Sequence, residues 1–305
     1  MLMKKLYIVI LVFMPAYLMA QFNPQQSLYM YNPLPVNPAA TGKDKALNVT
    51  MSHRAMWQGL EGAPKTDYIS IHSPLKKESI ALGLQVFKDK IGVSSRSGIS
   101  ASASYRLKMR TGKLSFGISV GMVSTDNRWS QVVTTEEADR VFSSGDMTYW
   151  LPMASAGIYY ETKKAFAGIS IPQFLSETYA GGNRYKADSQ LDNYSYQLMA
   201  GRKFTMAPKM YVQPSTLMKY HAKSGLQTDV SVAAGYENIA ELGVTLRPKD
   251  ALVFFMRAQL NTQLKLGYSY DHLTSTLAKY GKGTHEMILF YTFIYKSNAP
   301  NTRFF

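Results

Sequence analysis

The chain has 305 residues, no cysteine, and 34 lysines and arginines against 20 aspartates and glutamates, for a formal net charge of +14. The lack of cysteine excludes a disulfide framework, thiol catalysis and cysteine-based metal sites. The basic residues are dispersed (Lys43, Arg54, Lys88, Arg106, Lys163, Arg202, Lys219, Arg257, Lys265), with nothing denser than pairs such as Lys76-Lys77. The concentrated footprint of a nucleic-acid-binding protein is therefore missing. These charges either attract lipopolysaccharide and anionic headgroups or are simply solvated loop charges.

Residues 1–20, MLMKKLYIVILVFMPAYLMA, read as a secretory signal peptide: Lys4 and Lys5, an apolar run from Leu6, then small Ala20 before Gln21. Leu18, at the third position before the cut, is less suited than alanine. The run is short for a membrane anchor and is interrupted by Pro15. No cysteine follows, which rules out a lipoprotein at this position. Export across the inner membrane is the expectation. Residues 21–46 form a lead-in that contains Pro33, Pro35 and Pro38, residues unsuited to a central strand. This lead-in would either dock partners in the periplasm or fold into the body of the protein as a plug.

From residue 47 onward the chain alternates. In 99–122, ISASASYRLKMRTGKLSFGISVGM, the residues Ile99, Ala101, Ala103, Tyr105, Leu107 and Met109 alternate with Ser100, Ser102, Ser104, Arg106 and Lys108. The pattern restarts at Leu114 and runs through Phe116, Ile118, Val120 and Met122. Period two is the strand period, so this is a hairpin with one apolar face. Two surroundings explain such a face: the inside of a soluble sandwich, or lipid around a barrel. Further strands are predicted at 47–57, 66–73, 79–89, 149–161, 165–173, 193–203, 209–219, 226–236, 239–247, 250–260, 263–271 and 284–295.

Connections sort by parity. With the mature N-terminus in the periplasm, those on that side are short: 74–78, Arg110-Thr111, 162–164, 204–208, Glu237-Asn238 and Asn261-Thr262. Most on the other side are long: 58–65, 90–96, 125–148, 174–192 and 272–283, with Pro248-Lys249 an exception. A sandwich has no reason to sort its loops this way, whereas outer-membrane barrels do. The inward rows read Ser, Gly, Ala, Thr, Gln and Tyr, with charges placed toward strand ends. Tyr105, Trp150, Tyr159, Tyr268, Tyr270, Tyr291 and Tyr295 fall where interfacial aromatic girdles sit. The reading is an all-β protein, a transmembrane antiparallel β-barrel of about 14 strands over 47–305, located in the outer membrane.

Catalytic and cofactor signals are weak. His53, His72, His221, His272 and His285 have no ligand spacing. His285 and Glu286 adjoin on a strand and so point to opposite faces. Gly117-Ile118-Ser119-Val120-Gly121 has the letters of a nucleophile elbow but lies within a strand, without the strand-to-helix turn that chemistry needs. The row Ser100, Ser102, Ser104 is what a small polar inner face demands. No enzyme and no cofactor are expected.

The lead-in motif Tyr31-Asn32-Pro33…Asn37-Pro38-Ala39 is followed by Arg54…Trp57…Gly62-Ala63-Pro64, then Asp89-Lys90-Ile91-Gly92, and near the end Gly283-Thr284-His285-Glu286. In this order the blocks resemble the PorP/SprF family of type IX secretion outer-membrane proteins. The resemblance implies a non-enzymatic barrel that works with the type IX and gliding machinery, contacts periplasmic ring proteins, or holds a secreted adhesin at the surface. Which of these branches applies is not written in these residues. It makes the motif residues, Tyr31, Asn32, Pro33, Asn37, Pro38, Arg54, Trp57, Gly62, Ala63, Pro64, Asp89, Lys90, Gly92, His285 and Glu286, candidates for partner or plug contacts. Gly62-Ala63-Pro64 reads more simply as a turn, and Trp57 as an interface anchor. The alternative function is a porin or small-solute transporter, which the small polar inner face would suit.

Overall fold

The computed structural model describes residues 25–293 apart from 45, 77, 133–144, 182–183, 190–192 and 238. The expected signal peptide, Tyr295 and the C-terminal tail lie outside the described residues. The strands are β1 (Leu47–Ala55), β2 (Lys65–Pro74), β3 (Ile80–Ile91), β4 (Ser94–Lys108), β5 (Lys113–Asn127), β6 (Met147–Glu161), β7 (Ala165–Ile171), β8 (Ser176–Gly181), β9 (Arg184–Asp188), β10 (Ser195–Arg202), β11 (Phe204–Ala207), β12 (Met210–His221), β13 (Gly225–Tyr236), β14 (Ala240–Arg247), β15 (Ala251–Gln259), β16 (Leu264–Leu273) and β17 (Thr284–Phe293).

Each strand pairs antiparallel with its neighbours. The last strand β17 returns to β1, with Arg54 opposite Glu286, and β7 pairs β10, which in turn pairs β12. The sheet therefore closes on itself. Strands β10 and β11 are one strand broken at Lys203, so the wall has fourteen strands. Closure satisfies every edge, which is what allows a sheet to stand in hydrocarbon.

The alternation sets the two faces. On β4, Ser100, Ser102, Ser104 and Arg106 are buried, while Ile99, Tyr105 and Leu107 are exposed. On β5, Ser115 and Ser119 point inward while Ile118 and Val120 are 61% and 60% exposed. Ile69, Leu82, Leu84, Val230, Val232, Leu242, Phe254 and Met287 continue this outer apolar surface around the wall. No second sheet covers it, which removes the sandwich. So extensive an apolar exterior is the mark of a lipid-facing band.

Four features differ from the sequence reading. The connection expected at 90–96 is a tight turn at 92–93, because β3 and β4 run on past the apolar band with Asp89 opposite Arg96. The connection from β7 to β10 carries a hairpin of its own, β8–β9, outside the barrel sheet. Tyr159 is not in a girdle: it has the parity of Gly157, opposes inward-facing Ser115, and is 5% exposed inside the barrel. The inner face also holds buried charges, Arg54, Asp229, Glu241, Arg247, Arg257, Asp271 and Glu286, which the expected small polar row did not include.

The long connections 56–64, 128–146, 172–194 and 274–283 share one end of the barrel, and the short turns 75–79, 109–112, 162–164, 208–209, 237–239 and 260–263 share the other. Two of the long ones are stitched together. Gln58 N donates to Gly283 O at 2.8 Å and Lys282 N donates to Gln58 O at 2.7 Å.

Candidate functional site

Residues 25–43 lie within the ring of strands. Gln25, Ser27, Leu28, Tyr29, Leu34, Val36, Asn37, Ala39, Ala40 and Thr41 are all buried, and their partners are inward-facing wall residues. The segment cannot extend as a strand because its prolines lack the N–H a ladder needs. It turns instead: Tyr31 N and Asn32 N donate to Leu28 O, Asn37 N donates to Pro33 O at 2.8 Å, and a 3-10 turn follows at Pro38–Ala40. Short turns of this kind satisfy the backbone locally, as a segment buried away from water requires.

At the long-loop end the segment is held by charge. Arg54 bridges Asp271 at 2.7 Å and Glu286 at 2.9 Å, and Arg247 bridges Asp229 at 2.9 Å and Asp271 at 3.1 Å. Into this row comes Ser27, whose N–H donates to Glu286 Oε2 at 2.8 Å and whose hydroxyl donates to Asp271 Oδ2 at 2.9 Å. That hydroxyl also accepts from Arg54 Nη1 at 3.0 Å and Arg247 Nη2 at 3.3 Å. Gln25 Nε2 reaches Asp250 at 3.2 Å. Charges so deeply placed persist only when paired and fully hydrogen-bonded, and Ser27 supplies part of that pairing.

A second anchor stands nearer the short turns. Tyr31 donates to Glu241 Oε1 at 2.6 Å, Tyr211 donates to Glu241 Oε2 at 2.5 Å, and Arg257 Nη2 donates to the same oxygen at 3.2 Å. The Tyr31 ring meets Phe255 and Phe290 edge-on, and the Arg257 guanidinium lies 5.4 Å from its centroid. Burial, reinforced by the Glu241 carboxylate, pushes the Tyr31 phenol above its ordinary value, so it stays protonated.

The third anchor is steric. Gly117 on β5 directly opposes Gly157 on β6, and Gly168 stands on β7. The Asn37-Pro38-Ala39 turn sits on this glycine-lined patch. A Cβ at Gly157 would meet Asn37 Oδ1, one at Gly117 would meet the backbone of Pro38 and Ala39, and one at Gly168 would meet Asn37 Nδ2. The close approach lets Asn37 Nδ2 donate to Ile158 O at 3.0 Å and Ile169 O at 3.2 Å, while Asn37 Oδ1 caps the 3-10 turn at Ala39 N. The hydroxyl rows complete the seat. Thr41 bonds Ser102 at 2.9 Å, Ser104 donates to Thr41 O at 2.8 Å, Ser170 donates to Val36 O at 2.6 Å, and His72 Nδ1 accepts from Gly42 N at 3.1 Å. Tyr29, Val36, Ala39, Ala40, Tyr159, Met199 and Leu217 form one apolar cluster, and Leu28, Ala233, Phe255 and Ile288 form another.

The motif residues thus separate by place. Tyr31, Asn32, Pro33, Asn37 and Pro38 belong to the lumen segment, and Arg54 and Glu286 are its wall partners. Asp89 faces a lumen cavity and accepts from Thr66 Oγ1 at 2.5 Å. Gly62, Ala63, Pro64 and Gly92 form turns, with Gly92 N donating to Gly62 O at 2.8 Å, and Lys90 is exposed beside them. Trp57 is not on a strand facing lipid; its N–H donates to Thr284 Oγ1 at 3.2 Å, where the two long connections meet. His285 is on the outer face with Tyr268, 2.7 Å away, opposite in direction to Glu286. Ser27, Asp229, Glu241, Arg247, Arg257, Asp271 and the three glycines escaped the sequence reading. Their signal was parity: each shares the inward row of a strand already recognised.

Solved structures of similar shape are outer-membrane barrels. The CymD monoaromatic hydrocarbon channel aligns with a TM-score of 0.51 at 14% identity over 87% of this chain and 93% of its own. The Ralstonia pickettii toluene transporter TbuX aligns with a TM-score of 0.52 at 9% identity over 85% and 92%. At such identities the likeness establishes the fold alone. Among curated proteins no match is found. The model of the type IX secretion system membrane protein PorP/SprF family matches residues 18–291, and the chain, an outer-membrane β-barrel, belongs to that family.

Proposed function

We infer that this barrel serves the type IX system as a non-enzymatic secretion or surface-attachment component, and that it passes no solute stream of its own. Residues 21–46 act as its plug. The observation that supports this reading is the lumen segment, tied by charge at Arg54 and Asp271, by Tyr31 at Glu241 and by the glycine seat at Asn37. A porin needs a water-filled path, and three independent anchors would have to yield to open one.

In this reading the signal peptide of residues 1–20 directs export, the short turns face the periplasm, and the long connections face outward. Partners are then periplasmic components of the type IX and gliding machinery, a secreted adhesin, or both. Surrounding outer-membrane lipid and lipopolysaccharide meet the apolar band and its basic rim. Deleting the gene tests the proposal. Secretion or surface display of type IX cargo should fall and return on complementation; unchanged display of every cargo would reject it. The barrel's likeness to hydrocarbon channels keeps solute transport as the competing function, which conductance of the purified protein decides.

A further inference from the structure

A cavity of about 90 Å³ remains between the lumen segment and the wall. Leu34, Pro35 and Val36 line it from the segment, with Phe87, Val123 and Met153 adding apolar surface from β3, β5 and β6. Two directly opposed cross-strand pairs also face it: Asp89 with Arg96 across β3 and β4, and Gln197 with Lys219 across β10 and β12. Both lie in the half of the barrel nearer the long connections, from which Pro172 and Gln173 also reach the lining. Toward the short turns the space is occupied by the Asn37-Pro38-Ala39 turn on its glycine seat.

The polar side chains of this cavity are underused. Gln85 Nε2, Gln197 Oε1 and Arg96 Nε are buried without a hydrogen-bond partner among the described residues, and Gln197 is only 6% exposed. Lys219 likewise makes no hydrogen bond among them. Asp89 already accepts from Thr66. A native interior leaves few polar groups unpaired, and such groups mark places where something else completes the set. What is missing has a definite chemistry. The two cations against one occupied carboxylate call for an anion, the free donor of Gln85 and free acceptor of Gln197 match the two senses of a peptide group, and the floor is aliphatic.

We propose that this cavity is a binding site for an acidic peptide segment entering from the long-loop end, with its carboxylate at Arg96 and Lys219 and its main-chain amides at Gln85 and Gln197. The proposal rests on the secretion reading and gives it a seat for a secreted partner within the barrel mouth. A sugar acid offers a carboxylate too, but its many hydroxyls would leave the Leu34-Pro35-Val36 floor uncovered.

The test uses the full-length protein in detergent and fluorescein-labelled pentapeptide pools with glutamate at the centre, read by anisotropy. Binding is expected, with the matching glutamine pool at least about tenfold weaker, as loss of a charge-assisted contact predicts. Lys219→Met and Arg96→Gln should each weaken the glutamate pool about tenfold, and Lys219→Arg should restore it. Retained heat-modifiable mobility on gels identifies variants that still fold. No binding, equal binding of both pools, unaffected binding in folded Lys219→Met, or full competition by millimolar glucuronate or acetate would overturn the proposal. The secretion reading is judged separately, by cargo display in the deletion strain.

Discussion

Arg54 and Asp271 lie 2.7 Å apart although their strands, β1 and β16, are not neighbours; β17 stands between them and adds Glu286 to the same row. Ser27 closes the arrangement from the lumen side. Removing one member of so buried a set strands the other charges. Arg54→Met is therefore expected to lower stability by about 3–5 kcal/mol, read as the urea midpoint of the loss of heat-modifiable mobility. An unchanged midpoint would show that the row bears no load in holding the segment.

The glycine seat makes a sharper prediction. Gly157→Val places side-chain atoms where Asn37 Oδ1 now lies, and overpacking of this kind costs about 1–3 kcal/mol. The wall is held by its own ladder, so the lumen segment should yield first. Because the chain has no cysteine, Ala39→Cys supplies a unique reporter at a buried position. Thiol labelling of that cysteine should be slow in the parent and faster by about tenfold or more when Gly157→Val is added. Ala101→Val, on the outer face, should leave the rate unchanged.

The sequence revealed the wall far better than its contents. Alternation in Ile99–Ala101–Ala103 against Ser100–Ser102–Ser104 is a local property, and it gave faces as well as strands. Parity of loop lengths gave the two ends. The lumen segment was harder, because its contacts join residues far apart: Asn37 with Ile158 and Ile169, Ser27 with Asp271. Nothing local in Asn37-Pro38-Ala39 states that glycines at 117, 157 and 168 will lie beneath it. The inward charges were legible in principle. Arg106 shares the row of Ser100, Ser102 and Ser104, and Arg247 shares that of Glu241, Gly243 and Thr245, so strict parity placed them in the lumen where a rule about charges at strand ends did not. Tyr159 was misplaced for the same reason: Gly157 marks its row as inward.

Tyr31 provides a test by titration. Its phenol is neutral in the fold and its folded pKa lies above the ordinary 10.0, raised first by burial and then by Glu241. Its contribution is thus fully present below pH 10.0 and is lost as pH climbs from there toward the folded value. A difference titration at about 295 nm between the parent and Tyr31→Phe should show no phenolate from Tyr31 near pH 10 while the barrel is folded, and its appearance only on unfolding. Ordinary ionisation near 10 would place Tyr31 in water.

Conduction through a planar bilayer addresses the occupied lumen directly. The purified full-length protein should insert without giving steady open-channel current, and the same preparation carrying Gly157→Val with Arg54→Met should show current steps as the segment leaves. Steady, solute-permeable conductance by the unaltered protein would contradict the occluded barrel and return the molecule to the porins.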